Sequence, residues 1–164
     1  MARPASDTAA VTLSVLDRLL DDDPRTTSEA VPTRAQSVRR LRDAVRRDLE
    51  WLLNTRRVAV PPDEGLQELN RSVYVYGLPD FTGYSLAAPG DENKLIRQLQ
   101  TTLKLFEPRL AKVRLVPVEA VIAKTRTFRF RIEGLLLMDP APEHISFDTV
   151  LQLTTSQYEV QNAG

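Results

Sequence analysis

The sequence predicts an α+β domain: two main helices and a short N-terminal helix packed on a small three-stranded antiparallel sheet. Two stretches before residue 107 repeat apolar residues at helical spacing. Three stretches after it alternate apolar and polar residues, and short links join them as a meander would.

The totals bound that fold. With 164 residues, 42% hydrophobic and 27% charged, the chain is long enough for one domain with a real core. Its 22 basic and 22 acidic side chains cancel, which argues against a general polyanion binder while leaving local patches open. There is no cysteine, so disulfides, thiol nucleophiles and cysteine-ligated metals are excluded. The one histidine, His144, sits in a proline-rich connection and excludes a multi-histidine metal site. No stretch approaches the roughly 20 apolar residues that span a bilayer, and the first residues lack the apolar run of a signal peptide. The expected location is the cytoplasm. Only Lys94, Lys104, Lys112 and Lys124 among the basic residues are lysines. That arginine bias fits interfacial ion pairs or, equally, a GC-rich genome.

Residues 1–10 are small and polar, a composition that predicts disorder. Leu13, Leu16, Leu19 and Leu20 then fall at helical spacing before an acidic run and Pro24. So short a helix is marginal alone and has to dock on something. Residues 21–32 read as a linker, so the expected organisation is an arm over 1–32, a domain over 33–160 and a tail over 161–164.

Thr33 and Gln36 make a capping box for the first main helix, where Val38, Leu41, Val45, Leu49 and Leu52 form one apolar stripe. The other faces carry Arg39, Arg40, Arg42, Arg46 and Arg47 interleaved with Asp43, Asp48 and Glu50. A basic helix suggests phosphate contacts, but the interleaved acids and the zero net charge favour a solvated face. Trp51 lies off the stripe, so either the N-terminal arm or a partner covers it; at an interface it is a natural hot spot.

Pro61 and Pro62 end this pattern. A helical turn is expected around Leu66–Val73, followed by a loop punctuated by Gly77, Pro79, Asp80 and Gly83. Asp91 is expected to cap the second main helix, with Leu95, Ile96, Leu99, Leu103 and Phe106 facing inward. Proline disfavours the helical conformation at the residue before it, so Pro108 stops this helix at about Phe106. The first strand follows, with Pro117 demoting its far half to an edge or a bulge. The second sets Phe128, Phe130 and Ile132 against Arg129 and Arg131. The third is expected to run from Ile145 to Val160, with Ile145, Phe147, Leu151 and Leu153 on one face.

Between the second helix and the first strand stands Glu107-Pro108-Arg109. On an extended corner, positions two apart point the same way, so the carboxylate and guanidinium can be presented side by side. They form either a polar clamp for a partner chain or a helix stop with two solvated charges. A glycosidase would need a second carboxylate about 5–10 Å away, and Asp80 or Glu133 could supply one. A neighbouring cation favours the ionised form, however, which is wrong for a general acid. No nucleophile elbow, phosphate loop or metal-ligand spacing is present.

Four motifs carry a family resemblance: "SVLDRLLDDDP", "SVRRLRDAVRRDLEWLLNTRR", "YGLPDF" and "LFEPRL". In this order they resemble the TssE family, small baseplate subunits of bacterial type VI secretion systems. That family groups with the lysozyme-like wedge proteins of contractile phage tails. The similarity runs from about Val11 to Tyr158. It implies a non-enzymatic structural role at the cytoplasmic face of the inner membrane, with no cofactor, no metal, no nucleic acid and no direct membrane insertion. The implied partners are the baseplate proteins TssF, TssG and TssK and the sheath proteins TssB and TssC. Glu107, Pro108 and Arg109 match the family's Glu-Pro-Arg motif, which is tied to assembly contacts. "LLNTRR" maps onto Leu52–Arg57 and adds Arg56 and Arg57, beside Trp51, as partner-binding residues. The family name raises one alternative, a peptidoglycan-cleaving hydrolase. Tyr74 and Val75 depart from the helix-friendly leucine-asparagine pair expected there. A small sheet with free edges can extend another chain's sheet. The last strand is the expected meeting point with the sheath, with Asp148 and Gln152 as outward positions.

Overall fold

A computed structural model describes residues 11, 13–20, 25, 32–81, 90–122, 127–152 and 155–163. It is α+β, as expected, with helices α1 (Val15–Leu19), α2 (Arg34–Asn54) and α3 (Asp91–Phe106) preceding strands β1 (Leu110–Ile122), β2 (Thr127–Leu136), β3 (Glu143–Gln152) and β4 (Gln157–Asn162). No helix among the described residues is long and apolar enough to cross a membrane. The chain forms two compact units, Met1–Val45 and Arg46–Gly164.

In the first unit, Ser14 caps α1 by accepting a hydrogen bond from the Asp17 N–H, and none of the α1 residues is buried. The capping box of α2 forms as its spacing predicts. Thr33 N–H donates to Gln36 Oε1 at 2.8 Å, and Gln36 N–H donates back to Thr33 Oγ1 at 3.4 Å. Leu41, Ala44 and Val45 are buried. Ser37 takes the buried place one residue before Val38, because its hydroxyl donates to the Thr33 carbonyl and leaves no unpaired polar group.

In the second unit, α2 continues through buried Leu49, Leu52 and Leu53. The expected helical turn at Leu66–Val73 is two 3-10 turns, Leu69–Arg71 and Val73–Val75, with Ser72 capping the second through the Tyr74 N–H. Gly77 (φ +99°) packs so closely on the end of α2 that a β-carbon there would meet the Thr55 carbonyl at 2.3 Å. Gly83 lies outside the described residues. Gly90, in the left-handed region, is the N-cap of α3; Asp91 is instead its first residue and pairs with Lys94 at 3.1 Å. Leu95, Leu99 and Leu103 are buried, Ile96 and Phe106 half-buried, and the helix ends at Phe106.

The sheet has four strands, not three, in the order β1-β2-β3-β4, all antiparallel. The stretch expected as one last strand, Ile145–Val160, folds into a hairpin of β3 and β4. Asp148 and Gln152 do face outward, but on an interior strand and not an edge: Asp148 pairs with Arg131 on β2 and Gln161 on β4, and Gln152 with Thr127 and Gln157. His144 stands on β3 opposite Leu135, not in the connection. Leu153 lies outside the described residues. Pro117 sits on an edge strand with register shifts on its far side, as a residue without an N–H demands. The core face of the sheet carries Phe128, Phe130, Ile132, Ile145, Phe147 and Val160. Fully burying each large side chain contributes about 1.5–3 kcal/mol.

The β4 edge is closed from within. Asn54, the last residue of α2, donates to the Tyr158 carbonyl at 2.8 Å and accepts from the Tyr158 N–H at 2.9 Å. Alternate residues of an antiparallel strand point both backbone groups the same way. Tyr158 thus faces away from β3, as does Val160, whose carbonyl accepts from Arg46 at 3.2 Å. Among the described residues, no comparable group caps the outer edge of β1.

Candidate functional site

The corner after α3 is built by its proline and its two charges. Glu107 caps α3 through its N–H to Leu103, and its carbonyl accepts from Leu110 N–H, so the chain turns directly into β1. Pro108 is exposed at the tip. The Glu107 side chain folds inward and is only 3% exposed. The sequence left this carboxylate between a solvated helix stop and a partner clamp. In the fold its first partner is internal. The Arg109 guanidinium straddles it, with Nε 2.6 Å from Oε1 and Nη2 on Oε2. This two-pronged geometry is the strong form of a charge-assisted bond.

Arg109 does not stop there. Its Nη2 also donates to Asp48 Oδ2 on α2 at 2.7 Å. The other Asp48 oxygen is forked by Arg47, with Nε at 3.1 Å and Nη2 at 2.8 Å. The Arg47 guanidinium lies over the Trp51 ring, 4.9 Å from its centroid, as side chains four apart on a helix can. The result is a relay of alternating charge: Arg47, Asp48, Arg109, Glu107. It runs from the half-exposed Trp51 to a buried carboxylate, and its formal charges cancel. The bonds to Glu107, ahead of those to Asp48, raise the Arg109 pKa above its ordinary value, although burial pulls it down. Tyr76 packs edge-on against Phe106, with centroids 5.2 Å apart. Burial, then the charges of Asp48 and Glu107, push its hydroxyl pKa up.

Of the residues expected to bind partners, the fold joins Trp51, Pro108, Arg109 and Glu107 in one region. Arg56 and Arg57 stand apart, on a short extended piece where Leu78 N–H donates to Thr55 and Arg57 N–H to Leu78. Arg56 lies 3.6 Å from Asp80 with both side chains more than half exposed, a pair that water screens. It also borders an open cleft of about 470 Å³ between the end of α2 and the β3–β4 turn, lined by Glu50, Asn54 and Glu159 among others. Sequence reasoning placed Arg47 and Asp48 only on a solvated helix face and did not single out Tyr76, so it missed the part all three play here. The spacing of Arg47 to Trp51 was a usable signal, whereas Asp48 meets Arg109 across 61 residues, which no local pattern reveals. Among the described residues, no group of three or more histidines and carboxylates could hold a metal ion.

Residues 39–141 match the family model described as baseplate wedge protein gp25. The match starts inside α2, ends before β3, and includes every member of the relay. No curated protein and no solved structure matches the chain.

Proposed function

The chain belongs to the baseplate wedge protein gp25 family, and from that premise we propose that it is the member serving a type VI secretion apparatus, joining the baseplate wedge to the contractile sheath. A structural baseplate role follows from membership. The motif resemblance supports the assignment to type VI secretion, the position at the cytoplasmic face of the inner membrane, and TssF, TssG and TssK as neighbours. In this reading the protein is a scaffold and not an enzyme.

The observation that carries the proposal is the relay on α2 and the corner. It fixes an exposed proline and a half-exposed tryptophan on a surface whose charges are already paired. Such a surface suits docking by apolar and aromatic anchors, which carry most of the binding energy at interfaces. TssF and TssG are the proposed partners here, with Arg56 and Arg57 as outlying contacts. The sheath proteins TssB and TssC are assigned to the open β1 edge rather than to the last strand, because Asn54 and Arg46 occupy β4.

Co-purification with TssF and TssG tests the wedge contact, comparing the native chain with Glu107→Ala/Arg109→Ala. Removing both partners leaves no orphan charge at the corner, and Asp48 keeps Arg47, so the variant should fold. Capture by the native chain and loss in the folded variant is the expected result. Failure of the native chain to capture either protein would overturn the scaffold reading.

A further inference from the structure

Asp48 divides its carboxylate between two elements. Oδ1 is forked by Arg47 of its own helix, and Oδ2 takes Arg109 from the corner. Arg47 is the cation that covers Trp51, at 4.9 Å. A long arginine side chain has large rotamer freedom unless something holds its head group. Asp48 supplies that hold, and Arg109, itself clamped on buried Glu107, orients Asp48 in turn. We infer that Asp48 is a positioning residue that couples the Glu107-Pro108-Arg109 corner to Trp51, so that one carboxylate sets both ends of the docking surface.

The coupling fixes an indole that is 50% exposed, with one face screened by a guanidinium. An anchor ordered before contact loses less freedom on binding. The partner that fits is a protein surface with an apolar pocket for an aromatic ring; a strongly charged one would have to break the relay. What docks rests on the baseplate reading, but the coupling itself does not.

Trp51 is the only tryptophan in the chain, so tryptophan fluorescence reports this site alone. Acrylamide quenching and emission maximum would be measured on the full chain for Asp48→Asn, Asp48→Glu and Arg109→Gln. Asp148→Asn serves as a control that breaks a different pair, Arg131–Asp148 at 2.7 Å. Circular dichroism would establish that each is folded. Quenching is expected to rise in Asp48→Asn and also in Arg109→Gln, whose altered side chain belongs to another element. Asp48→Glu should restore the native value and Asp148→Asn should keep it. Native quenching in a folded Asp48→Asn or Arg109→Gln would overturn the coupling, since something other than Asp48 would then hold Arg47 over the ring. Raised quenching in both, with no capture of baseplate partners even by the native chain, would leave the coupling standing and remove the scaffold reading.

Discussion

Tyr158 belongs both to the β4 edge, through its backbone, and to the core, through its ring. Its backbone is gripped by Asn54, while its side chain is 5% exposed and its hydroxyl, among the described residues, has no hydrogen-bond partner. A buried donor without a partner costs stability. Tyr158→Phe should therefore be neutral or stabilising by up to about 1 kcal/mol in urea denaturation. The same burial raises the pKa of the hydroxyl. An unfolded tyrosine ionises near about pH 10. Above that, the unfolded chain has released its proton while the folded chain retains it, so the stability this group supports below pH 10 falls as pH rises. Native protein should lose stability through that alkaline window more steeply than Tyr158→Phe; equal slopes would mean that water reaches the hydroxyl. The sequence marked few of these single-residue roles. Leu49, Phe128 and Phe130 were legible because periodicity encodes burial. The fates of Asp48 and Asn54 were not, because their partners lie 61 and 104 residues away.

Between elements, the same limit explains the missing strand. β3 buries the odd-numbered Ile145, Phe147, Thr149 and Leu151 and β4 the even-numbered Tyr158 and Val160, a one-residue slip easily missed because the turn between them has neither glycine nor proline to announce it. Ser156 takes the left-handed conformation (φ +53°) where a glycine would have given the hairpin away. Helix α3 and its stop were legible because proline acts on the residue before it, whatever the tertiary context. The clasp of α2 on β4 is the element-scale feature most open to test. Besides the Glu50 carbonyl of its own helix, the Asn54 amide satisfies two backbone groups of β4, each bond adding about 0.5–1.5 kcal/mol. Asn54→Ala should cost about 1–3 kcal/mol on that basis. It should also speed hydrogen exchange at the Tyr158 amide while leaving the β2–β3 ladder protected. Unchanged exchange at Tyr158 would show that the bulk of α2, and not its terminal amide, closes this edge.

At the scale of the whole molecule, the sheet is asymmetric, and the asymmetry separates the two proposed contacts. The β4 edge is short and clasped. The β1 edge spans Leu110–Ile122 and is interrupted by bulges, by Lys112 in the left-handed conformation (φ +52°) and by Pro117. Such devices blunt an exposed edge against indiscriminate pairing without capping it. Val116 and Val118 are 41% and 51% exposed on this strand. At about 3.3 Å per residue they lie roughly 20–30 Å along the chain from Arg109. Contacts that far apart should fail independently. Val116→Lys/Val118→Lys places two charges on the β1 edge at positions already open to solvent, so the fold should survive. The variant should still capture TssF and TssG yet fail to support sheath assembly in cells. Trp51→Ala should do the opposite to the first readout, losing wedge capture while the isolated chain keeps its β1 edge intact. In the proposed reading the sheath is built on the baseplate, so Trp51→Ala alone does not report on the edge; the informative case is the lysine pair. If it assembles a normal sheath, β1 is not where the sheath is met, and a strand joining this sheet would have to displace Asn54 from Tyr158.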